Sequence, residues 1–205
     1  MAAWFFLTLA LAPLAPAAPT LTLVWHDSTQ QFPGVGLARL ADEMEALFRQ
    51  NGLSVDFRAA SDYEDLSRIP EPRINAIVLP GEDRRFGLPA DAMAAAFGEK
   101  GGKYGIFVFL PSVRRTLGHR ESETSPRHLV ELSRALARIV AHELVHVLAP
   151  ERGHADYGLM SDKLRREELL ADVIDLDGVS VARATATLRA WGCRTRTTGL
   201  PIPIL

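Results

Sequence analysis

The sequence predicts a single α/β domain, in which helices pack on a central β-sheet. Three observations lead to this expectation. The chain has 205 residues, a length that suits one domain with a well-formed hydrophobic core. Its residues are 47% apolar and 23% charged, as in ordinary globular proteins. Strand-like and helix-like segments alternate along the chain, and no linker or internal repeat divides them.

The first part of the predicted domain is a strand, a helix and a second strand. Residues 20–26 (TLTLVWH) are rich in β-branched and aromatic side chains, which favours a strand. Residues 36–52 carry apolar side chains at helical spacing and end in Asn51-Gly52, a pair typical of a helix C-terminus. Residues 53–59 (LSVDFRA) alternate between apolar and polar side chains, which indicates a half-buried strand.

Two further segments are largely apolar and predict buried strands: residues 74–81 (INAIVLPG) and residues 104–112 (YGIFVFLPS). The segment between them, residues 87–103, is ambiguous. It fits a short helix, and it also fits an edge strand near residues 92–97 that is followed by a glycine turn. The sequence leaves both interpretations open.

Three helices are predicted in the C-terminal half of the chain. The longest starts at Pro126, and its apolar residues recur at helical spacing until Pro150 ends it. A second helix is predicted over residues 161–174, with Ser161 as its N-cap, and a third over residues 179–191.

The first 19 residues differ from the rest of the chain and predict an export signal. They contain no charged side chain, and the apolar residues 4–11 are followed by small residues and prolines. An A-x-A motif ends at Ala17, which is typical of a signal-peptidase site. We therefore expect a signal peptide over residues 1–17, a mature domain over residues 18–205, and a secreted or periplasmic protein.

Charge and cysteine content exclude several other classes of protein. The formal net charge is −2, and no run of like charge is present, so the sequence does not indicate nucleic-acid binding. Prolines interrupt the N-terminal apolar segment, so we expect no stable membrane insertion after signal cleavage. Cys193 is the only cysteine, which excludes an internal disulfide; we interpret it as a small, partly buried side chain.

The stretch AHELVHVLAPERGHADYGLMS, residues 141–161, predicts a metal site. His142 and His146 are four residues apart on the predicted long helix, so their imidazoles project from one face about one turn apart. They can therefore bind one ion, and Glu143 can reach a water molecule on that ion. The flanking residues are apolar, and burying two histidines and a carboxylate is costly unless a metal pairs them.

The residues after the helix strengthen this interpretation. Pro150 ends the helix and Gly153 permits a sharp turn, which brings His154 back toward the first two histidines. Met160 follows six residues later. The alternative is a helix whose histidines only form hydrogen bonds with core neighbours.

This stretch resembles the metzincin clan of zinc metallopeptidases, whose long motif has three histidines and then a methionine turn beneath the metal. The resemblance implies that one zinc ion is bound by His142, His146 and His154. It also implies that Glu143 is the general base and proton shuttle, and that Met160 is the Met-turn residue.

The resemblance covers most of the mature chain, because the order of strands and helices upstream is similar to that of small, exported bacterial metzincin-like proteins. It implies a zincin-like domain with a mixed twisted sheet, an active-site helix and C-terminal helices. It also implies a zinc-dependent endopeptidase, in which a metal-activated water hydrolyses peptide bonds of a peptide or protein substrate.

The spacing of the third histidine departs from the clan's motif and leaves alternatives open. The pattern H-E-x-x-H-x-x-G-x-x-H would place that histidine at position 152, whereas this chain has it at His154. Glu168 and Asp172 have the E-x-x-x-D spacing of the gluzincin branch, in which a glutamate is the third ligand. A zinc-binding module without catalysis is a further alternative, although such a module has no use for Glu143.

The remaining histidines and the tyrosines near the motif are assigned no catalytic role. We expect His26, His119 and His128 to be surface or hydrogen-bonded side chains. Tyr104 and Tyr157 carry hydroxyl groups that can stabilise an oxyanion, but a tyrosine close to a motif is weak evidence for that function.

We predict that the exported protein starts near Ala18. The apolar segment and the A-x-A motif would direct signal peptidase to cut after Ala17. N-terminal sequencing of the secreted protein should therefore read from about Ala18 onward. A mature protein that still carries Met1 would contradict this prediction.

Overall fold

The computed structural model describes the chain from residue 20 to residue 192, except for residues 30–31, 33, 61–72, 82–86, 99–103, 122, 124 and 151–152. The expected signal peptide over residues 1–17 and Cys193 lie outside the described residues. Within the described part of the chain, strands and helices form the α/β architecture that the sequence predicts.

The sheet has five strands in the order β2-β1-β3-β5-β4. They are β1 (Thr20–Asp27), β2 (Ser54–Ala59), β3 (Arg73–Leu79), β4 (Ala94–Gly98) and β5 (Tyr104–Phe109). The pairs β1–β2, β1–β3 and β3–β5 are parallel, whereas β4 pairs antiparallel with β5 and forms one edge. The sheet is therefore mixed, and the ambiguous segment before β5 contains the edge strand rather than a helix.

The described residues form five helices: α1 (Gly34–Gln50), α2 (Leu110–Leu117), α3 (Pro126–Leu148), α4 (Arg166–Leu170) and α5 (Gly178–Ala190). The predictions of α1, α3 and α5 are confirmed to within about two residues. The hydroxyl of Ser125 caps α3 by accepting a hydrogen bond from the backbone N–H of His128. None of the described helices is both long enough and apolar enough to cross a membrane.

The prediction of one continuous strand over residues 104–112 was wrong. Strand β5 ends at Phe109, and α2 begins at the next residue, with Pro111 in its first turn. Helix α2 ends at Gly118, whose φ of 72° is in the left-handed region. Apolar side chains continue without interruption from β5 into α2, so composition alone did not distinguish the strand from the helix that follows.

The prediction of a long helix over residues 161–174 was also wrong. Helix α4 has only five residues, and its N-cap is Arg165 rather than Ser161. The backbone of Ser161 instead forms an isolated β-bridge with Ala155. The carboxylate of Glu168 accepts a hydrogen bond from the backbone N–H of Arg165, which fixes the start of α4 at this point.

Helix α3 is the central helix of the domain. It packs against each of the other four helices and against strands β4 and β5. Leu136, Leu144 and Leu148 are buried on it in the same hydrophobic core as residues of the sheet. The hydroxyl of the buried Ser133 lies 2.6 Å from the backbone oxygen of Leu129 in α3 and 3.1 Å from that of Gly36 in α1, so its hydrogen is shared between the two helices. Residues on α3 therefore have little freedom to move independently of the core.

The carboxylate of Glu131 links α3 to the segment after α2 and to α4. It accepts hydrogen bonds, each 3.0 Å long, from His119, Arg127 and Arg166. The hydrogen bond from His119 contributes most to lowering the pKa of Glu131 to about 2. Desolvation opposes this shift, and the hydrogen bond from Arg127 and the positive charges of the two arginines reinforce it.

We predict that Glu131→Gln lowers the free energy of unfolding by about 1–2 kcal/mol at neutral pH. Because the folded-state pKa of Glu131 lies below its unfolded value, the ionised carboxylate stabilises the fold above about pH 4.5. This contribution is lost as the pH falls through the interval from about 4.5 to about 2.

Urea unfolding of both proteins at about pH 7 and about pH 3 measures this effect. The difference in free energy of unfolding should shrink at the lower pH. A difference of the same size at both pH values would show that the ionised carboxylate of Glu131 does not stabilise the fold.

Candidate metal centre

The structure brings together the three histidines that the sequence singled out. His142 and His146 project from one face of α3, and their Nε2 atoms are 3.0 Å apart. The Nε2 atom of His154 lies 3.2 Å from that of His146, although His154 follows the end of α3. His142 is buried, His146 is partly buried and His154 is exposed, so the cluster is covered on one side and open on the other.

The geometry of these nitrogens fits a zinc ion. Tetrahedral zinc with Zn–N distances of about 2.0–2.1 Å places neighbouring ligand nitrogens about 3.3 Å apart. The separations of 3.0 and 3.2 Å from the Nε2 of His146 to those of His142 and His154 are close to this value. Three protein ligands on tetrahedral zinc would leave one coordination position for water or substrate.

The tautomer and charge of His142 also suit a metal ligand. Its Nδ1 atom donates a hydrogen bond to the backbone oxygen of Leu159 at 2.7 Å, so its Nε2 atom presents a lone pair to the cluster. Burial lowers the pKa of His142 to about 4; the bond to Leu159 opposes this shift, and the neighbouring His146 and His154 reinforce it. His142 is therefore neutral near pH 7, which is the form that binds metals.

Glu143 follows His142 on α3 and is partly buried. Burial raises the pKa of its carboxyl group to about 7, and a hydrogen bond from the backbone of Ala96 in β4 opposes this shift. A group with a pKa near 7 can both accept and release a proton at neutral pH. The sequence does not predict the contact with Ala96, because every residue type except proline has a backbone N–H that can donate.

The loop over residues 154–160 is fastened through its backbone. The N–H of Leu159 donates to the carbonyl oxygen of Asp175 at 2.8 Å. Gly158 has a φ of 77°, and a Cβ atom there would lie 2.6 Å from the same oxygen, so only glycine fits. Met160 is buried at the end of this loop.

The histidines and Glu143 lie in an open cleft of about 870 Å³. Residues 88–89 and 91–96, which lead into β4 and include its first three residues, line one side of the cleft, and residues 161–166 line another. The sheet edge beside the site is therefore β4, and β5 lies one strand further inward.

The structure does not bring Glu168 or Asp172 to the histidines. The carboxylate of Glu168 accepts a hydrogen bond from the backbone N–H of Arg165 at 2.7 Å, and that of Asp172 accepts one from Arg134 at 3.3 Å. Across the described ranges, the three histidines are the only group of three or more potential metal ligands. The donor set that the geometry offers is thus three imidazoles.

The other three histidines lie outside the cluster and have hydrogen-bonding partners, as expected. These pairs are His26 with Asn75, His119 with Glu131, and His128 with Ser125.

Neither tyrosine contributes to the lining of the cleft. Tyr104 stacks on Trp191, with ring centroids 5.2 Å apart, and the side chain of Tyr157 is 78% exposed outside the cleft. The structure therefore gives no support to an oxyanion-stabilising role for either residue.

Comparison with known proteins identifies the fold. No protein-family model and no curated protein sequence matches the chain. Archaemetzincin from Methanopyrus kandleri superposes with a TM-score of 0.52 and 13% identity, over 84% of this chain and 96% of its own. A zinc-dependent peptidase from Methanocorpusculum labreanum gives a TM-score of 0.51 and 15% identity, over 80% and 99% of the two chains. The chain thus has the fold of these proteins, which confirms the predicted single α/β domain with a mixed sheet.

We predict that His154→Ala weakens zinc binding by about a hundredfold or more, whereas Glu168→Ala leaves the affinity nearly unchanged. Two ligands on one helix hold zinc poorly, and Glu168 is engaged in capping α4. Competition with a chromophoric chelator measures both dissociation constants. The reverse pattern would identify Glu168 as the third ligand, as in a gluzincin-type site.

Proposed function

We propose that the protein is a zinc-dependent endopeptidase that hydrolyses backbone amides of peptide or protein substrates. One observation carries this proposal: three imidazole nitrogens converge beside a partly buried carboxyl group, that of Glu143, in an open cleft. The fold supports it, because two proteins with this fold are an archaemetzincin and a zinc-dependent peptidase.

We assign His142, His146 and His154 as the ligands of one zinc ion. Zinc bound there would polarise a substrate carbonyl as a Lewis acid and lower the pKa of a water molecule to about 7. His142 is held in a metal-binding tautomer by Leu159, and His154 brings a third imidazole from outside the helix. A neutral ligand set leaves the full charge of the ion to act on the substrate.

Glu143 is the general base in this proposal. Its carboxylate accepts a proton from the attacking water as the C–O bond forms, and it returns that proton to the nitrogen as the C–N bond breaks. The returned proton matters because an amine is a poor leaving group unless it is protonated. Burial raises the pKa of this carboxyl group, which makes its carboxylate a stronger base than an exposed one.

The edge strand β4 provides a surface on which to align an extended substrate. It forms the edge of the sheet on the side of the cleft and pairs only with β5 among the described strands. A peptide that adds to β4 by backbone hydrogen bonds would lie along the cleft beside the three histidines. Such pairing depends little on side chains, which is consistent with a substrate that is an unfolded or extended segment.

The expected signal peptide places this activity outside the cytoplasm, so we propose a secreted or periplasmic enzyme that is not inserted in a membrane and does not bind nucleic acid. A zinc-binding module without catalysis is the competing function. Both would bind zinc, so metal stoichiometry does not separate them. Hydrolysis that depends on Glu143 does.

We predict that Glu143→Gln retains zinc but loses hydrolysis by a factor of about 10²–10⁴ or more, since the amide cannot accept the proton of the attacking water. Turnover of a quenched fluorescent peptide by zinc-loaded protein measures the effect. Glu45→Gln, which changes an exposed carboxylate on α1, is the matched control and should retain activity. Hydrolysis at the wild-type rate in the zinc-loaded Glu143→Gln protein would exclude the proposed base.

A further inference from the structure

One face of α3 carries a row of nitrogen donors that extends beyond the histidines. Arg134, Arg138, His142 and His146 follow one another at intervals of four residues, so they lie along the same side of the helix. The first three donate hydrogen bonds to backbone oxygens of the segment that contains the 154–160 loop and α4. The acceptors are Leu170 for Arg134, Glu168 and Ala171 for Arg138, and Leu159 for His142.

Arg138 is the most deeply buried cation of this row. It is only 5% exposed, and within the described structure it forms hydrogen bonds to main-chain oxygens and no ion pair. Desolvation lowers the pKa of its guanidinium group, which expresses the cost of burying a charge. A buried guanidinium persists only when its donors are well paired, so the position of the 168–171 backbone is closely coupled to Arg138.

Helix α4 needs such a partner. It has only five residues, so its last carbonyl groups accept no hydrogen bond from an N–H group of the same helix. Arg138 contacts the oxygens of Glu168 and Ala171, and Arg134 contacts that of Leu170 at 3.2 Å. These bonds fasten the end of α4 directly onto the helix that carries the histidines.

Two further hydrogen bonds connect this segment to the metal centre, and together with the bonds of Arg138 they form a circuit of contacts. Four residues beyond Ala171, the carbonyl oxygen of Asp175 accepts the N–H of Leu159 at 2.8 Å. The carbonyl oxygen of Leu159 in turn accepts the Nδ1 hydrogen of His142 at 2.7 Å. The circuit starts at Arg138 on α3 and returns to α3 one turn later. Its last bond orients the ring of a proposed zinc ligand.

We propose that Arg138 is a positioning residue for the metal centre: it holds the 168–175 segment, and thereby Leu159, where the carbonyl of Leu159 orients His142 toward His146 and His154. The proposal rests on the zinc site proposed above. Arg138 does not line the cleft that contains the histidines. It acts through two backbone hydrogen bonds and a neighbouring segment, as outer partners of metal ligands do.

The test is the zinc affinity of folded Arg138→Met, in which the side chain keeps most of its length but loses both donors. We expect the zinc dissociation constant, measured by competition with a chelator, to rise by about tenfold to a hundredfold. The absorption spectrum of the Co²⁺-loaded protein should change as well, because the His142 ring is less well oriented. Arg138→Lys, which keeps one cationic donor, should restore part of the affinity.

Ser133→Ala is the matched control for a general loss of stability. Ser133 is a buried polar residue on the same helix, but the acceptors of its hydroxyl are the backbone oxygens of Leu129 and Gly36 and not the 168–175 segment. Unfolding of the metal-free proteins measures stability separately. Ser133→Ala should lower stability while the zinc affinity stays within about threefold of the wild-type value. An equal loss of affinity in Ser133→Ala and Arg138→Met would overturn the positioning role.

Gly158→Ala decides the question if Arg138→Met does not fold. A Cβ atom at this position pushes Leu159 away from Asp175 and so breaks the circuit at another point. Reduced zinc affinity in the folded Gly158→Ala protein supports the step from Asp175 through Leu159 to His142, on which the role of Arg138 depends, and wild-type affinity overturns that step and the proposal with it. Zinc binding by the wild-type protein is measured first. Its absence would refute the zinc site itself, whereas wild-type affinity in a folded Arg138→Met protein would refute only the role of Arg138.

Discussion

Helix α3 buries His142 among apolar neighbours, and this desolvation constrains the charge, the hydrogen bonding and the ligands of the site. The imidazole is kept neutral, its Nδ1 hydrogen must find an acceptor, and its Nε2 lone pair must find a partner. The backbone oxygen of Leu159 accepts the Nδ1 hydrogen. The Nε2 atom of His142 lies 3.0 Å from that of His146, which in turn lies 3.2 Å from that of His154, so the three nitrogens are close enough together to hold one metal ion.

The segment after α3 supplies hydrogen-bond acceptors to the buried polar side chains of that helix. Its backbone carbonyl groups accept hydrogen bonds from Arg138 and His142, and Gly158 permits the close approach to Asp175 that connects these contacts. The backbone carbonyl groups of this irregular segment are thus hydrogen-bonded where they contact α3, as buried backbone groups generally are. The open side of the site faces the cleft, which residues of β4 also line.

Local sequence patterns predicted the parts of the site that lie on a single secondary-structure element. The four-residue spacing of His142 and His146 and the apolar flanks of α3 identify a buried helical face without any knowledge of the fold. The turn signals at Pro150 and Gly153 led to the prediction that His154 returns to that face, and the structure places it beside His146 although Gly153 does not adopt a positive φ. The edge strand β4 was one of two open interpretations, because a run of small residues has no distinct period.

Contacts between distant segments were beyond local patterns. The bonds from Arg138 to Glu168 and Ala171 span 30 or more residues, and their acceptors are backbone oxygens that every residue type possesses. The same reason hid the contact between Ala96 and Glu143. The two incorrect elements have different causes: the apolar run of β5 continues into Leu110 and Pro111 at the start of α2, and α4 is shortened by tertiary contacts that override its helical spacing.

Cleavage-site profiling tests the central claim most directly. Mature protein is stripped of metal, divided, and incubated with a denatured proteome either without metal or with one equivalent of zinc, and the new peptide N-termini are identified by mass spectrometry. A zinc-dependent endopeptidase should produce internal backbone cleavages only in the zinc-loaded sample, with a consistent preference around the scissile bond. Protein that binds one equivalent of zinc but produces no new N-termini would contradict the account and leave a metal-binding module without peptidase activity.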